Sequence, residues 1–190
     1  MAVKTMLSME QIRALCAPYG IGEVLEAVPI ERGSTQTNYL VTAQSGKYVL
    51  RLYENRTKEQ AYFELETLAV LSAKGYPCPK PRVAQGAVLG GWEGKSCALF
   101  HFLPGEHAGE WTDGRRLSAA RAAAWLVLLL NGFRPETTEH RWNYGPELCE
   151  RLAREYARRY DKPEKLKWYL EELAQLELPE SLPMSVCHAD

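Results

Sequence analysis

The sequence changes character at Leu103-Pro104-Gly105, and that break constrains the fold more than any other feature. Upstream of it, short runs rich in β-branched and aromatic residues alternate with turn residues and with two stretches of helical pattern. Downstream, every patterned stretch repeats its apolar residues at three or four positions. Strands gathered in one part of a chain and helices in the other describe an α+β fold with antiparallel pairing, and they exclude an alternating βαβ order with a parallel sheet. A boundary near residue 103 divides the chain into a strand-rich part, 1–103, and a helical part, 104–190.

Local signals place the elements. Ser8-Met9-Glu10-Gln11 is a capping-box pattern, and Ile12 and Leu15 follow at helical spacing before Pro18 and Gly20 end the run. Strands are predicted over 24–32, 37–43 and 47–54. The last two are joined by Gln44-Ser45-Gly46, and a Gly33-Ser34-Thr35 loop separates the first two. Thr57-Lys58-Glu59-Gln60 is a second capping box. It opens a helix over 57–74, with Gly75 at its C-terminal stop and Pro77 and Pro79 beyond. Further strands are predicted over 82–86 and 96–102, connected through a turn at Gly90-Gly91. The expectation is therefore a five-stranded antiparallel sheet with one long helix packed on it.

Beyond the break, helices are predicted over 118–130, stopped by Asn131-Gly132, and from Pro146 and Pro163 onward. The apolar run from Ala122 to Leu130 reads as a buried helix, and Trp125, Tyr156 and Trp168 read as core. That run falls well short of the ~20 residues that span a bilayer, so a membrane partner is not expected. A formal net charge of -1 gives no electrostatic reason to bind nucleic acid. Five cysteines are scattered without a C-x-x-C pair, which argues against a zinc site and for a reduced, cytoplasmic setting. No feature of the sequence fixes an oligomeric state.

Several residue groups carry chemistry of one kind. Gly33-Ser34-Thr35 between two antiparallel strands can fold over phosphates with backbone N–H groups and hydroxyls, or can be an ordinary hairpin turn. Arg51, flanked on its strand by Leu50 and Leu52, can bind phosphate oxygens and pair with a helix carboxylate such as Glu66, or can lie on a solvated strand face. Phe100-His101-Phe102-Leu103 ends the last strand at the break. It can offer a backbone carbonyl and N–H to an adenine edge, or serve as a plain linker. His188-Ala189-Asp190 follows a short extended apolar stretch. A carboxylate in that position can accept the proton of an attacking hydroxyl.

In order and spacing, several segments together resemble one family. They are the run from Gly33 to Thr37-Asn38-Tyr39, the stretch Tyr48-Val49-Leu50-Arg51-Leu52-Tyr53-Glu54, the turn Ala73-Lys74-Gly75-Tyr76-Pro77-Cys78-Pro79, Phe102-Leu103-Pro104-Gly105, and Cys187-His188-Ala189-Asp190. The combination is similar to the aminoglycoside phosphotransferase and choline kinase superfamily, and within it to the type II homoserine kinases. That resemblance implies a protein-kinase-like, two-lobed fold, with 1–103 as nucleotide-binding lobe and hinge and 104–190 as part of a helical lobe. It implies ATP and Mg2+ as cofactors and the hydroxyl of a small molecule, homoserine first, as acceptor. An aminoglycoside or a choline-type amino alcohol is the alternative acceptor, and a non-catalytic nucleotide-binding module or scaffold is the alternative outside enzymes.

Carried over by position, Gly33, Ser34, Thr35 and Asn38 belong to the nucleotide-positioning loop. Arg51 takes phosphate with Glu66 as its helix partner, and His101 and Leu103 hold adenine through their backbones. Asp190 is the catalytic base, and His188 holds its loop. The metal-binding Asn and Asp of that family fall past residue 190, so no metal ligand is predicted within the chain, and the 190 residues alone are expected not to turn over.

Overall fold

The two predicted capping boxes form. In α1 (Met9–Cys16) the Ser8 hydroxyl accepts the Gln11 N–H at 3.2 Å, and the Gln11 side chain accepts the Ser8 N–H at 2.7 Å. In α2 (Lys58–Ala73) Thr57 and Gln60 exchange the same pair of bonds at 3.1 and 3.3 Å. Each box satisfies N–H groups that the first helical turn leaves unpaired. At the other end of α2, the Tyr76 N–H reaches the Leu71 carbonyl at 3.0 Å and the Gly75 N–H reaches Ser72 at 3.1 Å. This closure needs a left-handed residue, and Gly75 supplies it at φ +79°. Gly75→Ala is expected to cost about 1 kcal/mol, read as a lowered urea midpoint with unchanged slope.

The computed structural model describes residues 5–31, 35–106, 109–137 and 146–175. They fall into two compact units, one holding the described residues up to 137 and the other residues 146–175.

In the first unit, β1 (Val24–Pro29), β2 (Thr37–Ala43), β3 (Gly46–Tyr53), β4 (Gly90–Trp92) and β5 (Lys95–His101) form one sheet in the order β1-β2-β3-β5-β4, with every pair antiparallel. The β1–β2 register shifts by one residue between Val24 and Glu26. Strand alternation sorts the side chains onto two faces. Tyr39, Val41, Tyr48, Leu50, Leu52, Cys97 and Leu99 pack with Ile12 and Cys16 of α1. Tyr53, Ala98 and Phe100 pack on the opposite face with Ala61 and Leu65 of α2. The long helix therefore lies on the sheet as the sequence predicts, and α1 covers the other side.

Two sheet expectations need correction. No strand forms over 82–86. Instead Lys80, Pro81 and Arg82 lie along the outer edge of β5, with His101 donating to the Lys80 carbonyl at 2.9 Å and Arg82 donating to Leu99 at 2.8 Å. Pro81 sits opposite Phe100 between these two bonds, so the N–H it lacks would point away from β5. Gln85 and Gly86, both at positive φ, then turn the chain so that Ala84 and Ala87 exchange two hydrogen bonds. The fifth strand is β4, where Gly90-Gly91 predicts a turn. The turn sits at Glu93-Gly94, at φ 45° and 79°. Gly90 serves close approach: a Cβ there would stand 3.0 Å from Cys97 Sγ.

All elements described after β5 are helices. α3 (Asp113–Leu130) starts earlier than predicted, because Thr112 caps it by accepting the Arg115 N–H at 3.4 Å. It is not the buried helix expected from Ala122 to Leu130: only Leu130 is buried, and Trp125, Val127 and Leu128 are exposed. It contacts α2, and just past the C-terminal end of α2 Tyr76 donates to the Ala122 carbonyl at 3.3 Å, with its ring 5.2 Å from Trp125. α3 belongs to the same compact unit as the sheet. In the second unit, α4 (Pro146–Tyr160) packs on α5 (Pro163–Ala174). Tyr156 and Trp168, expected in the core, are exposed there among the described residues.

Candidate active site

Alternation along the strands decides what meets α2. Leu50 and Leu52 face α1, so Arg51 faces α2. Its antiparallel partners Asn38 on β2 and Ala98 on β5 share that face, with Phe100 next along β5. The Arg51 Nε donates to Asn38 Oδ1 at 2.9 Å. Its Nη1 pairs with Glu64 Oε1, and the guanidinium carbon stands 5.2 Å from the centre of the Phe100 ring. Asn38 also bonds its own loop, donating to the Gln36 carbonyl at 3.5 Å.

The helix carboxylate facing Arg51 is thus Glu64, and the predicted pairing with Glu66 does not occur. Residues 61, 64, 65 and 68 follow one face of a helix, and Ala61, Leu65 and Leu68 of that set pack on the sheet. Glu66 is rotated roughly 200° from Glu64 and points elsewhere, where it accepts the Glu136 N–H at 2.8 Å.

Glu64 has further partners that sequence reasoning missed. Arg56 Nη1 pairs with its Oε2, and the Tyr53 hydroxyl donates to its Oε1 at 3.2 Å. The guanidinium carbon of Arg56 stands 5.5 Å from the centre of the Tyr53 ring. Burial pushes the Tyr53 phenol up, against the opposing influence of Arg51 and Arg56, so it remains a neutral donor. Two guanidiniums share the Glu64 carboxylate. The Arg51 side chain is 29% exposed, and its five N–H groups outnumber its partners Asn38, Glu64 and Tyr53. Such a group can take an anion with several oxygens. The period of α2 was the signal that could have found Glu64. Arg56, just before the capping box, carried none.

Beside Gln36, the ends of β2, β3 and β5 are held by a second buried carboxylate. Glu54 Oε2 accepts from Lys95 Nζ at 2.5 Å, and its Oε1 accepts the Thr5 N–H at 3.0 Å and the Thr37 hydroxyl. Burial alone would raise its pKa, but the donors from Lys95, Thr37 and Thr5 outweigh that and hold it at about 2. The backbone N–H of Glu54 donates to the Gln36 side chain at 2.8 Å. This fixes the C-terminal foot of the loop, next to the exposed Thr35.

At the end of β5 the His101 N–H is spent on Lys80 and the Phe102 N–H on Lys47, at 2.9 and 3.1 Å. The His101 carbonyl and the Leu103 N–H have no partner among the described residues. Burial, then Arg82 and Lys80, lower the His101 imidazole pKa, which keeps it neutral beside the Tyr48 ring 5.5 Å away. The structure therefore brings Asn38, Arg51 and Phe100 together and places Glu66 apart from them. Gly33, Ser34, His188 and Asp190 lie outside the described residues.

Comparison with known proteins gives this arrangement its kin. The chain is 30% identical over its whole length to the homoserine kinase of Caulobacter vibrioides. It is 39% identical over 106 residues, 55% of the chain, to that of Methylobacillus flagellatus, covering 33% of that relative. It spans 61% of the length of the Caulobacter relative. Among solved structures, an amicoumacin kinase in complex with AMP-PNP, Ca2+ and Ami superposes with a TM-score of 0.67 at 12% identity, over 91% of this chain and 55% of that one. Spectinomycin phosphotransferase in complex with ADP and spectinomycin superposes at 0.58 and 14% identity, over 80% and 47%. These two share the fold. A family model described as "Phosphotransferase enzyme family" matches residues 26–190, and the chain belongs to that family.

Proposed function

We propose that the sheet unit holds ATP for transfer of its terminal phosphoryl group to the hydroxyl of a small molecule, with homoserine as the first acceptor. The observation that carries this reading is Arg51: a guanidinium oriented by Asn38 and Glu64, partly exposed, with N–H groups to spare on the face that leads to the end of β5. In this reading residues 1–103 bind the nucleotide. Arg51 takes phosphate oxygens, and the loop with Gly33, Ser34 and Thr35 closes over them. The His101 carbonyl and Leu103 N–H meet the adenine edge, which suits their lack of partners among the described residues. Residues 104–190 bring the acceptor and Asp190, which takes the hydroxyl proton as general base, with His188 holding its loop. Homoserine stands first because the full-length sequence similarity runs to homoserine kinases.

Mg2+ supplies charge neutralisation in phosphoryl transfer generally. Among the described residues no cluster of three or more His, Cys, Asp or Glu side chains could hold it, and no step here is routed through it. No described helix is long and apolar enough to cross a membrane. Cys16, Cys78 and Cys97 are free thiols, which suits a cytoplasmic enzyme.

Calorimetric titration with ATP tests the nucleotide half. An ADP-release assay with homoserine, choline and spectinomycin as competing acceptors tests the other, run on the chain and on any longer form containing it. ATP binding with homoserine preferred is the expected result. Preference for choline or spectinomycin would move the acceptor, and a chain that ignores ATP would overturn the reading.

A further inference from the structure

A cation that bonds both a helix carboxylate and a phosphate faces a conflict. Each N–H it turns toward the ligand is withdrawn from the carboxylate, and a largely buried carboxylate left short of donors is costly. Glu64 is only 18% exposed, and its two oxygens are divided between two arginines. Arg51, on Oε1, is 29% exposed and has unspent N–H groups. Arg56, on Oε2, is 11% exposed and lies against the Tyr53 ring, so it cannot follow a ligand outward. Oε1 has the Tyr53 hydroxyl as a second donor. One guanidinium is fixed and the other is open.

We propose that Arg56 is a positioning residue for nucleotide binding: it neutralises Glu64 on its own, so that Arg51 can turn its guanidinium to phosphate without leaving that carboxylate unpaired. The inference rests on the nucleotide reading above and adds a residue that reading does not require. Arg56 itself touches no ligand. Its effect passes through Glu64, and this separates it from an arginine that binds phosphate directly.

The test titrates ATP and adenosine into the 190-residue chain and its variants by calorimetry, with thermal melts confirming the fold of each. Arg56→Gln should weaken ATP about tenfold and leave adenosine unchanged, because only phosphate binding draws Arg51 away. Arg56→Lys, which keeps the charge, should recover most of the affinity and carries the test if Arg56→Gln does not fold. In a Glu64→Gln background there is no charge to hold, so adding Arg56→Gln should change ATP binding by less than about twofold. An equal loss of ATP affinity in both backgrounds would make Arg56 a direct ligand and overturn the proposal. Equal losses for ATP and adenosine would reduce it to a structural role. ATP binding that depends on Arg51 but ignores Arg56→Gln would overturn this inference alone. Absence of ATP binding in the unaltered chain would remove the nucleotide reading and this inference together.

Discussion

Glu54→Gln should lower the stability of the sheet unit by about 2–3 kcal/mol, and the loss should vanish in acid. The carboxylate is 4% exposed and takes donors from Lys95, Thr5 and Thr37, so a neutral amide there leaves the Lys95 ammonium without its counter-charge. The sign follows from the folded pKa of about 2, depressed from an unfolded value of 4.5. A depressed carboxylate contributes its full stability above the unfolded value and loses it as pH falls toward the folded one. Urea midpoints at pH 7 should therefore differ widely between the natural chain and Glu54→Gln, and should converge between pH 4.5 and pH 2. Midpoints that stay equally far apart down to pH 2 would show that the ionised carboxylate contributes nothing.

The second large effect concerns chemistry. In a form of the protein that transfers phosphate, Asp190→Asn should lower turnover about 10²–10⁴-fold, the range for losing a general base, and leave ATP affinity within about twofold. In the proposed role the base acts on the acceptor hydroxyl and not on adenine, so the two parameters should separate. Single-turnover transfer measured beside ATP calorimetry reads both. Full turnover in Asp190→Asn would remove that residue from the assignment.

What the sequence made legible was local. Ser8 with Gln11, Thr57 with Gln60, Gly75, and the turn between β2 and β3 are settled by neighbours within a few positions, and each forms as read. Gly90-Gly91 was misread because glycine marks both turns and tight approaches. Only the Cys97 sulfur across the ladder, seven residues away, says which applies. Glu66 looks as fit a partner for Arg51 as Glu64 because α2 is apolar over much of its circumference: Tyr62, Phe63, Ala69 and Val70 surround Glu66 as convincingly as Ala61, Leu65 and Leu68 surround Glu64. The choice between them requires knowing which stripe meets the sheet, and that is a tertiary fact. The same ambiguity made α3 read as buried. An apolar run announces that it can be covered, whereas Trp125, Val127 and Leu128 of this one are exposed.

The two margins of the sheet bear on how the molecule behaves in a crowded solution. A strand with an open row of N–H and C=O groups is a template on which a second copy can add, the first step toward fibrils. On one side β4 is only three residues long, and the rest of the β5 margin is occupied by Lys80–Arg82, centred on a proline that offers no donor. On the other side β1 ends at Pro29 and carries a register shift beside Glu26, which interrupts its regular spacing and places a charge there. Among the described residues neither margin presents a long, flat, uncharged run, which disfavours self-association through strand addition. Pro81→Val would restore a donor to one margin and thereby test whether that protection is needed.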